Sequence, residues 1–229
     1  MQRYSKITQK DCREIVLLKA FPCLWSKCRF CDYILDNDRD ETHMAALNHE
    51  VLSQITGEYG VLEVIDSASF FELPSQTIEE IFTLIQTKKI HTLYIESHYL
   101  HRQKIADFKK QLGIRVIIKS GIETFDDDFR NRVLNKNVHF QSIEELKTWV
   151  DSPCLMVGIQ GQTKAMIERD MAILTSSFEH GTISLYRNNT TPIKRDQALI
   201  DWFKQTYAYL KEDPRYDYLD DPTDFGVGD

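Results

Sequence analysis

Three cysteines fall within nine residues, Cys23, Cys28 and Cys31, in the spacing C-x4-C-x2-C. Thiolates this close on one loop are soft ligands that can converge on a single metal centre, iron–sulfur or zinc. Three donors with no obvious fourth leave one coordination position open, which suits chemistry better than scaffolding. His43, twelve residues past Cys31, is the nearest candidate fourth ligand, and a zinc-binding interaction protein is the competing reading. Buried thiols are the bland one. Cys12 and Cys154 stand apart as inert thiols, and an odd total of five argues against a disulfide framework.

The elements that position this loop alternate regularly. An apolar strand over about 14–20 runs into Pro22 and the cysteines. Further strands are expected over 61–66, 91–96, 114–123, 154–161 and 182–187, with a weak one at 137–140. Between them lie helical patterns over 41–55, 77–89, 105–112, 125–136, 142–150, 164–178 and 196–210. Ser142 with Glu145 three residues on reads as a capping box. Strands alternating with helices imply a parallel sheet, closed as a doubly wound fold or as a barrel. No GxGxxG follows the first strand, and 229 residues are short for eight β/α units, so a partial (β/α)6-type barrel is expected. It is flanked by a polar lead-in over 1–13 and an acidic tail over 213–229, with the barrel domain over 14–212.

In such folds the functional residues lie just past the C-terminal ends of the strands. Those positions hold Asp66, Ser67, Ser69 and Glu72; Glu96, Ser97, His98 and His101; Lys119, Ser120, Glu123 and Arg130; Gln160 and Gln162; and Arg187, Asn188 and Asn189. Glu72 is conspicuous within FFELP, and His98 and His101 would share a face if helical. Ordinary readings stand beside these. Glu123 complements a helix N-terminus, Arg130 pairs with a nearby aspartate, and the histidines are surface or core imidazoles.

The cysteine loop, with Phe30 just before its last cysteine, resembles the cluster loop of the radical S-adenosylmethionine (SAM) superfamily, and KSGIETFDDDFRNRVLNK resembles that superfamily's G-I-E strand end followed by an arginine. The first cysteine gap is one residue longer than the usual C-x3-C-x2-C, so a bulge with Trp25 packed over it is expected. The resemblance implies the partial barrel of that superfamily and a [4Fe–4S] cluster on Cys23, Cys28 and Cys31. It also implies SAM bound by Ser67, Ser69, Ser120, Glu123 and Arg130, with Phe30, Tyr33 and Gln160 bordering the adenine. Hydrogen abstraction by a 5′-deoxyadenosyl radical and a reducing partner such as flavodoxin or ferredoxin would follow.

Net charge is −7, and the basic residues are dispersed, which disfavours a nucleic-acid partner and favours a small molecule. The short chain, the shifted cysteine loop, GIET and YRNNTTPIKRD resemble the subgroup of the superfamily that cleaves queuine in base salvage. That implies scission of the C–N bond between the cyclopentenediol and the 7-aminomethyl-7-deazaguanine base. Glu72, Glu96 and His98 are the candidate catalytic groups; Asp66, Glu72, Glu96, His98, Arg187 and Asn188 are the candidate substrate contacts. Another small-molecule radical SAM enzyme or a glycyl-radical activase is the alternative within the same chemistry. The opening MQRYSKITQKDCRE has no apolar h-region and no stretch reaches 18 apolar residues, so a cytoplasmic location is expected.

Overall fold

A computed structural model describes residues 1–228, and the chain divides into two compact units. The first comprises Met1–Ser26, Tyr33–Ile118 and the chain from Phe225 onward. Its strand β1 (Tyr4–Ile7) pairs antiparallel with β2 (Arg13–Leu18), which pairs parallel with β3 (Val61–Asp66). β4 (Thr92–Glu96) extends the sheet in parallel. The helices α1 (Glu41–Leu52), α2 (Ser75–Thr87) and α3 (Arg102–Leu112) belong to the same unit. Asp40 caps α1 by accepting the His43 N–H (3.1 Å), and Gly113 ends α3 in the left-handed region (φ +64°) that favours glycine.

Strand β5 (Arg115–Glu123) begins in the first unit, and its residues from Lys119 belong to the second, Lys27–Asp32 with Lys119–Asp224. There β5 pairs parallel with β6 (Ser152–Val157), β6 with β7 (Gly181–Leu185), and β7 with β8 (Tyr216–Leu219). A register shift between Gly121 and Glu123 marks a bulge where the strand ends. The one-turn α4 (Ile143–Leu146), α5 (Lys164–Ser177) and α6 (Gln197–Thr206) complete the unit. Ser142 caps α4 by accepting the Glu145 N–H (3.1 Å), while Glu145 reaches back to the Gln141 N–H (2.7 Å).

Several expectations are corrected. The six-unit count of a radical-SAM-type partial barrel omits two strands. β1 lies in the segment read as a polar lead-in, and β8 in the segment read as an acidic tail. The helix expected over 125–136 is reduced to a π-helical turn, Phe129–Val133. Asp126 draws the Phe129 N–H to its side chain (2.9 Å), and Asn135 and Asn137 take left-handed φ angles of 55° and 56° that end any helix. Residues 137–140 form no strand, because side chains satisfy their backbone. Asn131 accepts the Val138 N–H (3.0 Å), and Arg130 and Asn131 donate to its carbonyl.

The cores are aliphatic, with Ile15, Val16, Leu62, Val64, Leu93 and Ile95 fully or almost fully buried in the first unit. Charge is buried there too. Arg13 Nε sits 2.5 Å from Glu63, and its guanidinium lies over the rings of Tyr94 and Phe225. In the second unit Asp170 is 2% exposed and accepts the Phe125 N–H (2.8 Å). Burial pushes its carboxyl up to about 6, above the ordinary 3.8. The folded chain therefore holds this proton to a higher pH than the unfolded chain does, so the group's stabilising contribution is lost as pH rises from about 4 through about 6. The size is about 3 kcal/mol. Asp170→Asn, which keeps an acceptor for Phe125 and cannot ionise, should gain stability on wild type over that range in urea unfolding. Parallel pH curves for the two proteins would contradict the assignment.

Candidate functional site

In the first unit the ends of β3 and β4 bring three carboxylates into one electrostatic neighbourhood. Asp66 closes β3, Glu96 closes β4, and Glu72 lies in the one-turn helix Phe70–Glu72 between them. One Asp66 oxygen accepts the Ala68 N–H (2.7 Å); the other is buried with no hydrogen-bond partner among the described residues. Burial first, then the charges of Glu96 and Glu72, hold the Asp66 carboxyl well above the usual carboxylate range. Glu72 is equally divided. Its Oε1 accepts the Leu24 N–H (2.6 Å) and contacts His101 Nε2 (3.1 Å), whereas its buried Oε2 has no partner among the described residues.

Glu72 also fastens the cysteine loop by its backbone, since its carbonyl accepts the Phe21 N–H (3.0 Å). The loop then turns at Ser26, whose φ of 51° is left-handed and whose hydroxyl donates to the Cys23 carbonyl. Ser67 is engaged by the Ala20 N–H and by Asn37 Nδ2 (2.9 Å), and Ser69 by the His98 N–H (3.4 Å). His98 accepts the Leu100 N–H within its own turn (3.3 Å), and Tyr33 is exposed. A hollow of about 530 Å³ in this unit is lined by Pro22, Ser26, Ile34, Asn37, Asp38 and Arg39.

In the second unit the end of β5 carries Ser120, Gly121 and Glu123. Glu123 has a left-handed φ of 65°, a conformation that costs a non-glycine residue energy and that clusters at functional sites. Its carboxylate meets Lys136 Nζ at 2.7 Å, and both side chains are nearly buried, 7% and 13% exposed. Burial alone would lower the Lys136 pKa, but Glu123 and the nearby Cys28 and Cys31 raise it overall. Lys136 also lies 5.4 Å from the centre of the Phe30 ring. Ser120 Oγ is buried without a partner among the described residues.

Residues 27–32 are tied down within this unit. Asn189 donates to the Phe30 carbonyl (2.7 Å), Asn135 to the Lys27 carbonyl (2.8 Å), and Asp32 accepts from the Thr190 N–H and hydroxyl. Arg130 is placed differently from a ligand clamp. It is fully buried, donates to the carbonyls of Val138 and Thr124, and pairs with Asp127 (2.7 Å). Arg187 pairs with Asp221 on the surface, Asn188 accepts the Arg195 N–H (2.8 Å), and exposed Gln160 gives its N–H to Lys194. Lys136, Asn37 and Asn189's bond to Phe30 are what the sequence reading missed. Lys136 is the last residue of the KSGIETFDDDFRNRVLNK stretch, and the broken helix after Arg130 turns it onto Glu123.

The expectation of three convergent thiolates is corrected. Cys23, Cys28 and Cys31 are half-buried and in no disulfide, and among the described residues no group of three or more His, Cys, Asp or Glu side chains is placed to hold a metal ion. No donor set for a [4Fe–4S] cluster is therefore found among the described residues. The radical SAM assignment, the iron–sulfur cofactor, the 5′-deoxyadenosyl radical step and a flavodoxin or ferredoxin partner, all expected from that triplet, are corrected with it. The zinc reading fails likewise, with His43 committed to Asp38 (2.7 Å).

No protein-family model matches the sequence, and no curated protein does. Among solved structures, queuine lyase from Clostridium spiroforme bound to SAM and queuine is 62% identical, with all of both chains covered and a TM-score of 0.99. Streptococcus suis SuiB bound to S-adenosylmethionine matches at 12% identity over 89% of this chain and 49% of its own, with a TM-score of 0.54, a likeness of fold alone. Identity of that extent over two whole chains defines a lyase family. The chain belongs to the queuine lyase family.

Glu72→Ala removes the acceptor that holds Leu24, so the Cys23 thiol should alkylate several-fold faster than in wild type, with Cys28 and Cys31 unchanged in mass-spectrometric footprinting. Equal Cys23 rates would show that Glu72 does not fasten the loop. Arg130→Ala should cost about 3–5 kcal/mol in urea unfolding because it strips a buried network. A cost below about 1 kcal/mol would contradict the structural placement of that guanidinium.

Proposed function

We propose that the chain is a carbon–nitrogen lyase that binds SAM and queuine and releases the 7-aminomethyl-7-deazaguanine base from the cyclopentenediol. The observation that carries this reading is the 62% identity over the whole of both chains to a queuine lyase bound to those two molecules. The bond broken joins the cyclopentene carbon to the aminomethyl nitrogen; the nitrogen leaves with the base and gains a proton, and the ring gives up a hydrogen from a neighbouring carbon to form a new double bond.

The chemistry of the two units supports it. The guanine-like edge of queuine offers two kinds of N–H donor and one carbonyl acceptor. Asp66 and Glu72 each present a buried carboxyl oxygen with no partner among the described residues, and Glu96 closes the neighbouring strand, so the three offer acceptors for the donors. SAM offers an ammonium, a carboxylate, a ribose diol and an adenine. Glu123 suits the ammonium and Ser120 the diol or amino-acid end, with the Phe30 ring a surface for the base. SAM brings a reactive sulfonium when bound; these residues bind and orient it. Among the described residues no helix is long and apolar enough to cross a membrane. The working place proposed is the cytoplasm, where thiols stay reduced.

The purified protein, kept reduced and free of oxygen, should consume queuine in the presence of SAM and yield the aminomethyl base by liquid chromatography–mass spectrometry. Asp66→Ala should raise KM for queuine roughly tenfold or more while leaving SAM binding intact. Queuine recovered unchanged from the wild-type reaction would sink the proposal.

A further inference from the structure

A carboxylate that reads a ligand needs one oxygen held and the other left open. Glu72, in the one-turn helix Phe70–Glu72 of the first unit, is arranged in that way. Its Oε1 accepts the Leu24 N–H (2.6 Å) and faces His101 Nε2 (3.1 Å), while its buried Oε2 has no partner among the described residues. We infer that His101 is a positioning residue for substrate recognition, pinning Glu72 Oε1 so that Oε2 is kept for an N–H of the guanine-like base. This deepens the proposed function and rests on its claim that queuine binds here.

Three observations support the assignment. The two donors on Oε1 differ in anchorage, for Leu24 is 64% exposed on the cysteine loop whereas His101 is 6% exposed. The His101 backbone N–H donates to the His98 carbonyl (2.9 Å), and its ring lies 5.6 Å from that of Phe71, which packs in turn on Phe108. His101 is thus the donor that the interior supplies. Next, an imidazole nitrogen reaches one oxygen only. An arginine in its place would fork onto both and close the carboxylate, whereas a single N–H leaves Oε2 open. A carboxylate oxygen only accepts, so the proton at this contact is on Nε2.

Finally, Oε2 has company. Asp66 Oδ2 is a second buried carboxyl oxygen with no partner among the described residues, and the Glu72 charge acts on Asp66. A guanine-type edge carries two N–H donors side by side, the ring N–H and the exocyclic amine. Two unsatisfied acceptors in one neighbourhood match that edge in number and kind. Without the imidazole the Glu72 side chain hangs on a loop bond alone, so it meets the base unoriented and must be ordered at the cost of affinity.

Equilibrium dialysis with the intact chain, reduced and free of oxygen, measures the consequence. Saturating S-adenosylhomocysteine replaces SAM and lacks its sulfonium, so no base is consumed. The probes are queuine and its 7-deazaadenine counterpart, which keeps the cyclopentenediol arm but lacks both donors of that edge. Wild type should bind queuine roughly a hundredfold more tightly than the counterpart. His101→Phe, which keeps a ring against Phe71 and donates nothing, should lose roughly tenfold or more of that preference. His101→Gln, with one N–H in reach of Oε1, should keep it. Thermal melting shows that each variant is folded, and if His101→Phe does not fold, His101→Leu carries the comparison. Wild type that binds no queuine overturns the functional reading and this inference with it. Wild type that binds queuine beside a folded His101→Phe or His101→Leu that discriminates equally overturns only the role of His101. So does a His101→Gln that discriminates no better than His101→Phe, since packing alone would then explain the loss.

Discussion

Parallel pairing sends the strands of each run to one edge, and at those edges each unit of this chain places acids where water is scarce. Asp66 and Glu96 close neighbouring strands, Glu72 sits in the turn beside them, and Glu123 closes β5. Burying a carboxylate is costly unless something compensates it. The two units answer that cost in different ways. Around Asp66 the compensation is a raised proton affinity, driven by burial and by two like charges. At Glu123 it is a cation, Lys136, itself nearly buried.

The starts of the strands hold buried charge of a different kind. Arg13 is saturated by Glu63, by the Asp11 carbonyl and by two aromatic faces, and Glu14 accepts from Tyr4, Thr56 and Gly57. Neither has an acceptor or donor left over in the way that Asp66 and Glu72 do. That contrast separates charge that ties the fold from charge that awaits a ligand. Arg130 belongs with the former, its guanidinium closing the segment after β5 over the Phe140 ring.

Much of the fold was legible because apolar strands and amphipathic helices carry their own period. The strands 61–66, 91–96 and 114–123 fall within a residue of β3, β4 and β5. What escaped were elements whose signal is tertiary. β1 is polar and half-buried, stable only through its pairing with β2, and β8 lies in a stretch whose acidic composition suggests a solvated tail. Strand-end logic located Asp66, Glu72, Glu96 and Glu123, but it cannot say which oxygens find partners. A helical reading of 125–136 puts Arg130 one turn or two past Glu123, whereas two asparagines at positive φ end the helix and bring Lys136 back instead. The cysteine triplet failed for a related reason. Spacing along the chain counts residues, while ligation depends on where the fold places each side chain, and among the described residues no group of three or more donors is placed for it.

The central claim, that a member of this family severs the bond between the cyclopentene ring and the aminomethyl nitrogen, is tested most directly by following that nitrogen. Queuine labelled with ¹⁵N at the bridging amine, incubated with the reduced protein and SAM, should give the aminomethyl base with the whole label, one mass unit heavy. A label left on the cyclopentene fragment, with an unlabelled base released, would contradict the account.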